Sequence, residues 1–263
     1  MFRRVLGVCL AGVLLACATS PLGRRQLRLF PDEQMSQMGV AAYDKMKQEM
    51  PRSGDARAAS YVGCVANAVT AELTGRHAGL RWEVTVFEEP TPNAFALPGG
   101  KIGVHTGLLA VARNQDQLAT VLGHEVAHVL AEHGNERVST AFAAQTGVEL
   151  AGMIGGSSTP EQQKLLGLLG LGAQVGVLLP FSRAQESEAD ALGLDLMARA
   201  GFDPRESIQL WKNMSEAGGG QPPEFLSTHP AHGTRIQNLE ARMPNARMLS
   251  EQARARGKRP TCS

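Results

Sequence analysis

Residues 114–130 read Asn114-Gln-Asp-Gln-Leu-Ala-Thr-Val-Leu-Gly-His-Glu-Val-Ala-His-Val-Leu130, and the fold turns on them. Asn114 and Gln117 have the spacing of a capping box at a helix start. Leu118, Val121, Leu122, Val126, Val129 and Leu130 follow at a helical period and supply a buried stripe. Inside that helix stands His124-Glu125-Val126-Ala127-His128. Positions four apart lie one turn above each other, so both imidazoles reach a single ion. Glu125 is turned about 100° away, which suits a base acting on metal-activated water rather than a ligand. The chain has 7 histidines and 18 glutamates in 263 residues. By composition alone, such a pattern arises in roughly one chain of this kind in a hundred. Chance is a poor explanation.

A catalytic zinc takes three protein ligands and keeps one position open. Glu132 lies eight residues beyond His124, about 12 Å along the axis, too far to share an ion. A third histidine at position 134, preceded by Gly at 131, would mark another zinc-protease class; here those positions are Gly134 and Ala131. His133 is one position out of that register and is expected at the surface. The best donor is Glu186. Ser182-Arg-Ala-Gln185 is a second capping box, opening a helix that runs to Ala200 and stops at Gly201. Glu186 and Asp190, four apart, share one face of it. One carboxylate can bind metal while the other holds a ligand histidine by its ring N–H. Glu188 is rotated about 200° from Glu186 and points elsewhere. Glu149 is the competitor for the ligand role. One Zn2+ per chain is expected.

The remainder of the chain is ordinary globular material. Hydrophobic residues make up 43% and charged residues 19%, which excludes disorder and coiled coil. The formal net charge is +1, so nucleic acid is not an expected partner. Residues 31–75 read helical with a break at Pro51-Arg-Ser-Gly. Arg81–Phe87 alternates as a strand, and Lys101–His105 follows as a second. Helix then dominates, giving an α+β arrangement. Leu165–Ser182 carries no charge over 18 residues. A span there would part His128 from Glu186 across a bilayer, so a buried or lid helix beside the cleft is expected instead.

His124-Glu-Val-Ala-His128 together with Glu186-Ser-Glu-Ala-Asp190 resembles the gluzincin family of CAAX prenyl proteases. That family includes the mitochondrial inner-membrane stress protease and the bacterial periplasmic proteases that clear stalled outer-membrane proteins. Asn93-Ala-Phe-Ala-Leu-Pro-Gly-Gly, Thr106-Gly-Leu-Leu, Phe181-Ser-Arg and Ser227-Thr-His-Pro with Arg235-Ile236 carry the same likeness. The resemblance implies a mostly helical zincin-type metallopeptidase domain with a small β-sheet beside the active-site helix. It implies zinc on His124, His128 and Glu186, Glu125 as base and proton shuttle, and Asp190 steadying a ligand. It also implies a substrate strand along a Lys101–Val104 edge, and His229 near the metal. There His229 either stabilises the oxyanion or latches the open coordination position; a helix-capping residue is the plainer role. Arg235 steadies the loop or the transition state. The expected activity is endoproteolysis of misfolded or stalled envelope proteins. The rival is a chaperone that holds unfolded outer-membrane proteins, with proteolysis secondary, and the outer-membrane assembly machinery as a partner.

The N-terminus reads as an address. Met1-Phe-Arg-Arg precedes the apolar run Val5–Ala16, too short for a permanent span. Leu14-Leu15-Ala16-Cys17 resembles a bacterial lipobox, which implies lipid on Cys17; an ordinary secretory cleavage near Ala18 is the alternative. Ala18 after the cysteine resembles outer-membrane sorting, so the expected location is the periplasmic face of that membrane. The expected organisation is a signal peptide over 1–16, a lipidated N-terminus and tether over 17–30, the metallopeptidase domain over 31–250 and a tail over 251–263. Cys64 and Cys262 remain, either bridged or as two free thiols.

Overall fold

The computed structural model describes residues 17–155, 180–217, 225, 228–229 and 234–263, with side chains from 18 to 146 in the first range. The chain opens with β1 (Cys17–Thr19), β2 (Arg25–Leu27), α1 (Asp32–Glu49) and α2 (Ala56–Thr70). A small sheet follows, built from β3 (Glu83–Phe87), β4 (Ala94–Leu97) and β5 (Lys101–His105). The helices after it are α3 (Thr106–Val111), α4 (Gln115–Leu130), α5 (His133–Gly155), α6 (Arg183–Arg199), α7 (Glu206–Ala217) and α8 (Arg235–Ala255). The architecture is α+β, helices around one small sheet.

α4 sits at the centre. Asn114 caps it, its side-chain oxygen accepting from the Gln117 amide, while Gln117 turns its own oxygen to the Arg113 amide. Every residue from Gln117 to Val129 is buried, as expected of a helix enclosed on all sides. α6 is its principal neighbour, and α8 packs on α6 in turn. The α4–α6 crossing is close because two glycines face each other there. A Cβ on Gly193 would stand 2.7 Å from the His124 backbone nitrogen. α6 ends at Gly201, whose φ of 94° admits the turn.

The sheet order is β3-β5-β4, with β3 parallel and β4 antiparallel to β5. This corrects the expected edge. Lys101–Val104 is the middle strand, paired on both sides, and the strand beside α4 is β4. The Val84, Val86, Ile102 and Val104 side chains that mark β3 and β5 as strands do not reveal which is central. Tyr43 of α1 anchors the sheet, its hydroxyl oxygen 2.7 Å from Thr85 Oγ1 and donating to the Ile102 carbonyl at 3.0 Å.

The ends of the described chain are folded onto the domain. β1 and β2 form a hairpin, and Gln26 Nε2 donates to the Ala131 carbonyl at 2.7 Å. Leu29 N donates to Ser139 Oγ, so residues 17–30 lie on the domain rather than hang from it. At the other end Cys262 is bridged to Cys64 of α2, with Cα atoms 5.7 Å apart. Gln115 Nε2 also donates to the Pro260 carbonyl. Among the described residues no helix is long and apolar enough to cross a membrane. The apolar stretch at 165–179 and the glycines at 218–220 lie outside the described residues.

Candidate metal centre

Two helices present the ligating groups. His124 and His128 project from successive turns of α4, their Nε2 atoms 3.1 Å apart. Ser182 and Gln185 form a reciprocal capping box at the start of α6, which places Glu186 in the first turn, fully buried against them. Its carboxylate oxygens lie 3.6 Å from His124 Nε2 and 3.5 Å from His128 Nε2. His229 adds a fourth donor: its Nδ1 is 3.0 Å from Glu186 and 3.2 Å from His124 Nε2. All four ligand atoms fall within 4.8 Å of one another. His229 does not cap α8, whose N-cap is Thr234. The side chain of Glu149 on α5 lies outside the described residues.

Charges are arranged around this group. Asp190, one turn along α6 from Glu186, lies 3.0 Å from His124 Nδ1. Arg235, at the start of α8 and 3% exposed, donates Nε and Nη2 to the two Asp190 oxygens at 2.6 and 2.7 Å. Its Nη1 is 2.8 Å from Glu186 Oε2, and its guanidinium stacks 3.7 Å over Trp211. Burial by itself pushes the Glu186 carboxyl up, but His124, His128 and His229 overcome it and hold it well below the usual carboxylate range. Asp190 is likewise held down against burial by Arg235 and His124. Burial pushes His128 well below the ordinary imidazole value. Glu125 moves the other way, raised chiefly by burial. His229, His124 and the Ala96 amide of β4 oppose that rise, and His229 Nε2 lies 3.4 Å from its Oε1.

Two features escape a reading of spacing. Phe181 stacks on His128 with centroids 3.7 Å apart, and His229 lies between Phe181 and Phe225. Arg137 covers the other reach of Phe181 at 3.6 Å. His133 corrects the surface expectation, since it is fully buried. It follows the tight turn at Glu132, whose φ is 54°, and this swings its ring back under α4. Its Nδ1 meets His128 Nδ1 at 2.9 Å, and its Nε2 faces Glu188 at 3.3 Å. Glu188 is indeed turned away from Glu186, but into this buried pair rather than solvent. Burial raises its carboxyl, yet His133, Ser20, the Leu22 amide and Arg24 together lower it to about 2.

The donors fit a zinc ion. Tetrahedral ligation at zinc–nitrogen distances of about 2.0–2.1 Å separates two nitrogens by roughly 3.3 Å, close to the 3.1 Å found between the imidazoles. Glu125 Oε1 is buried and accepts no hydrogen bond among the described residues, whereas Glu186 Oε2 already has the Arg235 guanidinium beside it. A buried carboxylate oxygen without a donor is costly, and a cation or its water removes that cost. Two nitrogens and one carboxylate oxygen are a zinc set.

A helix bearing His-Glu-x-x-His, completed by a glutamate from a second helix, defines a zinc metalloendopeptidase. The chain belongs to peptidase family M48, whose model matches residues 56–243. It is 36% identical over 262 residues to the mitochondrial metalloendopeptidase OMA1 of Schizosaccharomyces pombe, covering 95% of this chain and 74% of that one. Identity to the human mitochondrial metalloendopeptidase OMA1 is 32% over 247 residues, 88% of this chain and 47% of that one. Identity to the beta-barrel assembly-enhancing protease of Yersinia pestis is 28% over 217 residues, 80% and 44% respectively. The chain thus spans about three quarters of the fission-yeast protein and less than half of the other two. These likenesses correct the expected location at the periplasmic face of an outer membrane, because the relatives with the higher identities are mitochondrial. Four residues ending in Cys17, after an apolar run, are too short a pattern to decide a compartment.

Proposed function

We propose that this chain is an endopeptidase of protein quality control, cutting unfolded or misassembled polypeptides without reading their sequence. The observation that carries the proposal is Glu125, which stands beside the ligand cluster and under the backbone of an outer strand at once. Ala94 and Ala96 lie opposite Val104 and Ile102 in the β4–β5 pair, and the Ala96 amide is turned outward to Glu125. A peptide added along β4 in extended form brings its backbone past Glu125, and main-chain pairing of that kind is indifferent to side chains.

His124, His128 and Glu186 would hold a zinc ion, which would supply a Lewis acid for the scissile carbonyl and for the attacking water. Glu125 would take the proton of the attacking water on Oε1, which accepts no hydrogen bond among the described residues, and deliver it to the leaving amine. Its burial raises its proton affinity, which suits both duties. Asp190 keeps the His124 proton on Nδ1, leaving Nε2 free to ligate. Arg235 holds the Glu186 and Asp190 carboxylates in place. His229 acts as a latch, since its Nδ1 already sits among the ligand atoms. A docked substrate strand displaces it.

The name of the Yersinia relative adds β-barrel precursors to the substrates worth trying. The test is digestion by the zinc-loaded chain of one protein presented unfolded and folded. Fragments are expected from the unfolded form alone; equal cutting of both forms, or binding without cutting, contradicts the proposal. His229→Ala separates its two roles. Faster cleavage of an unstructured peptide is expected from a latch, whereas a loss of about 10²–10³ marks an oxyanion donor.

A further inference from the structure

The two ligand histidines of α4 are backed differently. An imidazole that ligates through Nε2 carries its proton on Nδ1, and that proton is donated to a fixed acceptor. For His124 the acceptor is Asp190. For His128 the Nδ1 partner among the described residues is another imidazole, His133 Nδ1 at 2.9 Å. Two nitrogens that close share one proton. His128 donates, so His133 accepts on a bare Nδ1 and carries its own proton on Nε2, which faces Glu188 Oε2 at 3.3 Å. His133 and Glu188 are 0% and 4% exposed, so bulk water does not compete for either. With zinc on His128 Nε2, the order of donors is His128 to His133 to Glu188.

Glu188 is held in turn from outside the helical domain. Arg24 Nε donates to its Oε2 at 3.0 Å and the Leu22 amide to its Oε1 at 3.2 Å. Both lie in the turn between β1 and β2. Arg24 is itself fixed by Glu136 of α5, which accepts from Nη1 and Nη2 at 2.5 and 2.6 Å, and Gln185 braces Glu136 at 2.8 Å. Nothing in the hydrolytic mechanism uses these residues. A hairpin that only covered the domain would not need to direct a guanidinium and an amide onto the buried carboxylate that stands behind His133.

We infer that His133, Glu188 and Arg24 are positioning residues for the metal ligand His128, so that docking of the N-terminal turn at residues 20–24 sets how tightly the site holds zinc. The inference rests on the zinc reading of His128. The relay keeps the His128 lone pair on Nε2 and fixes the ring plane; without it the ring shares its proton between two nitrogens and ligation weakens.

The test is the zinc dissociation constant of the full chain, measured by competition with a chromogenic chelator, beside the visible spectrum of the cobalt-substituted protein. Glu188→Gln keeps the shape and an acceptor oxygen but loses the charge, and should weaken zinc binding by about 10–100-fold. Arg24→Gln should act in the same direction by a smaller factor, and both should shift the cobalt bands. Arg242→Gln serves as the control for loosening alone. It breaks an ion pair of the same kind, to Asp195 on the same helix, and should leave zinc affinity unchanged. If Glu188→Gln does not fold, His133→Gln carries the same expectation. Wild-type affinity in a folded Glu188→Gln or His133→Gln variant overturns the inference, and so does an equal loss in Arg242→Gln. A wild-type chain that binds no zinc overturns the metal reading itself, and this inference with it.

Discussion

Replacing Arg235 by methionine tests whether the site is held together by charge. The guanidinium makes two hydrogen bonds to Asp190 and stands 2.8 Å from Glu186, and all three side chains are at most 6% exposed. Methionine keeps the apolar stem over Trp211 but leaves two buried carboxylates without their cation. Removing one partner of a buried ion pair costs about 3–5 kcal/mol. For a chain of this length each kcal/mol moves the melting temperature by about 2–4 °C, so the metal-free variant should melt roughly 6–20 °C below wild type. Adding Asp190→Asn should recover part of that loss, because it removes one uncompensated charge. The sign with pH follows. Asp190 is held below its ordinary value, so its contribution is present above about pH 4 and lost as pH falls through its folded value. Arg235→Met should flatten that acid limb. Thermal unfolding followed by circular dichroism across pH is the assay. A loss under about 1 kcal/mol, the range of exposed pairs, would refute the reasoning.

Gly193→Ala places a methyl 2.7 Å from the His124 nitrogen and 2.8 Å from the Gly123 carbonyl carbon, where only backbone can yield. It should cost about 1–3 kcal/mol and, by moving His124 against Glu186, lower kcat/KM by up to about 10²-fold; a fully active variant would mean that the crossing has slack. Breaking the Cys64–Cys262 bridge, 198 residues apart in sequence, should destabilise the chain by about 2–4 kcal/mol, with about 5 kcal/mol as the chain-entropy ceiling for so long a loop. An unchanged melting temperature in Cys64→Ser, or on adding reductant, would contradict that.

The parts of the site carried by helical spacing are legible from residues alone. His124 and His128, then Glu186 and Asp190, are each one turn apart, and each helix announces its start with a cap. What spacing does not carry is how separate elements meet. Lys101–Val104 reads as a strand in either a central or an outer place, because both alternate or fill with β-branched residues; only the pairing with β3 and β4 decides. His133 reads as a surface residue because a regular helix would turn it outward, whereas the left-handed turn at Glu132 ends α4 and redirects the chain. Glu188 reads only as pointing away from Glu186, because its partners Arg24 and His133 lie far away in sequence. Phe181 offers no signal of its role, since stacking on His128 depends on where the start of α6 falls against α4.

The central claim is that Glu125 moves the proton while His124, His128 and Glu186 hold the metal. Measuring zinc content and casein cleavage together on purified Glu125→Gln tests it most directly. The account predicts one zinc per chain, as in wild type, with the cleavage rate reduced by about 10²–10⁴. Cleavage at the wild-type rate by the zinc-loaded variant would contradict it.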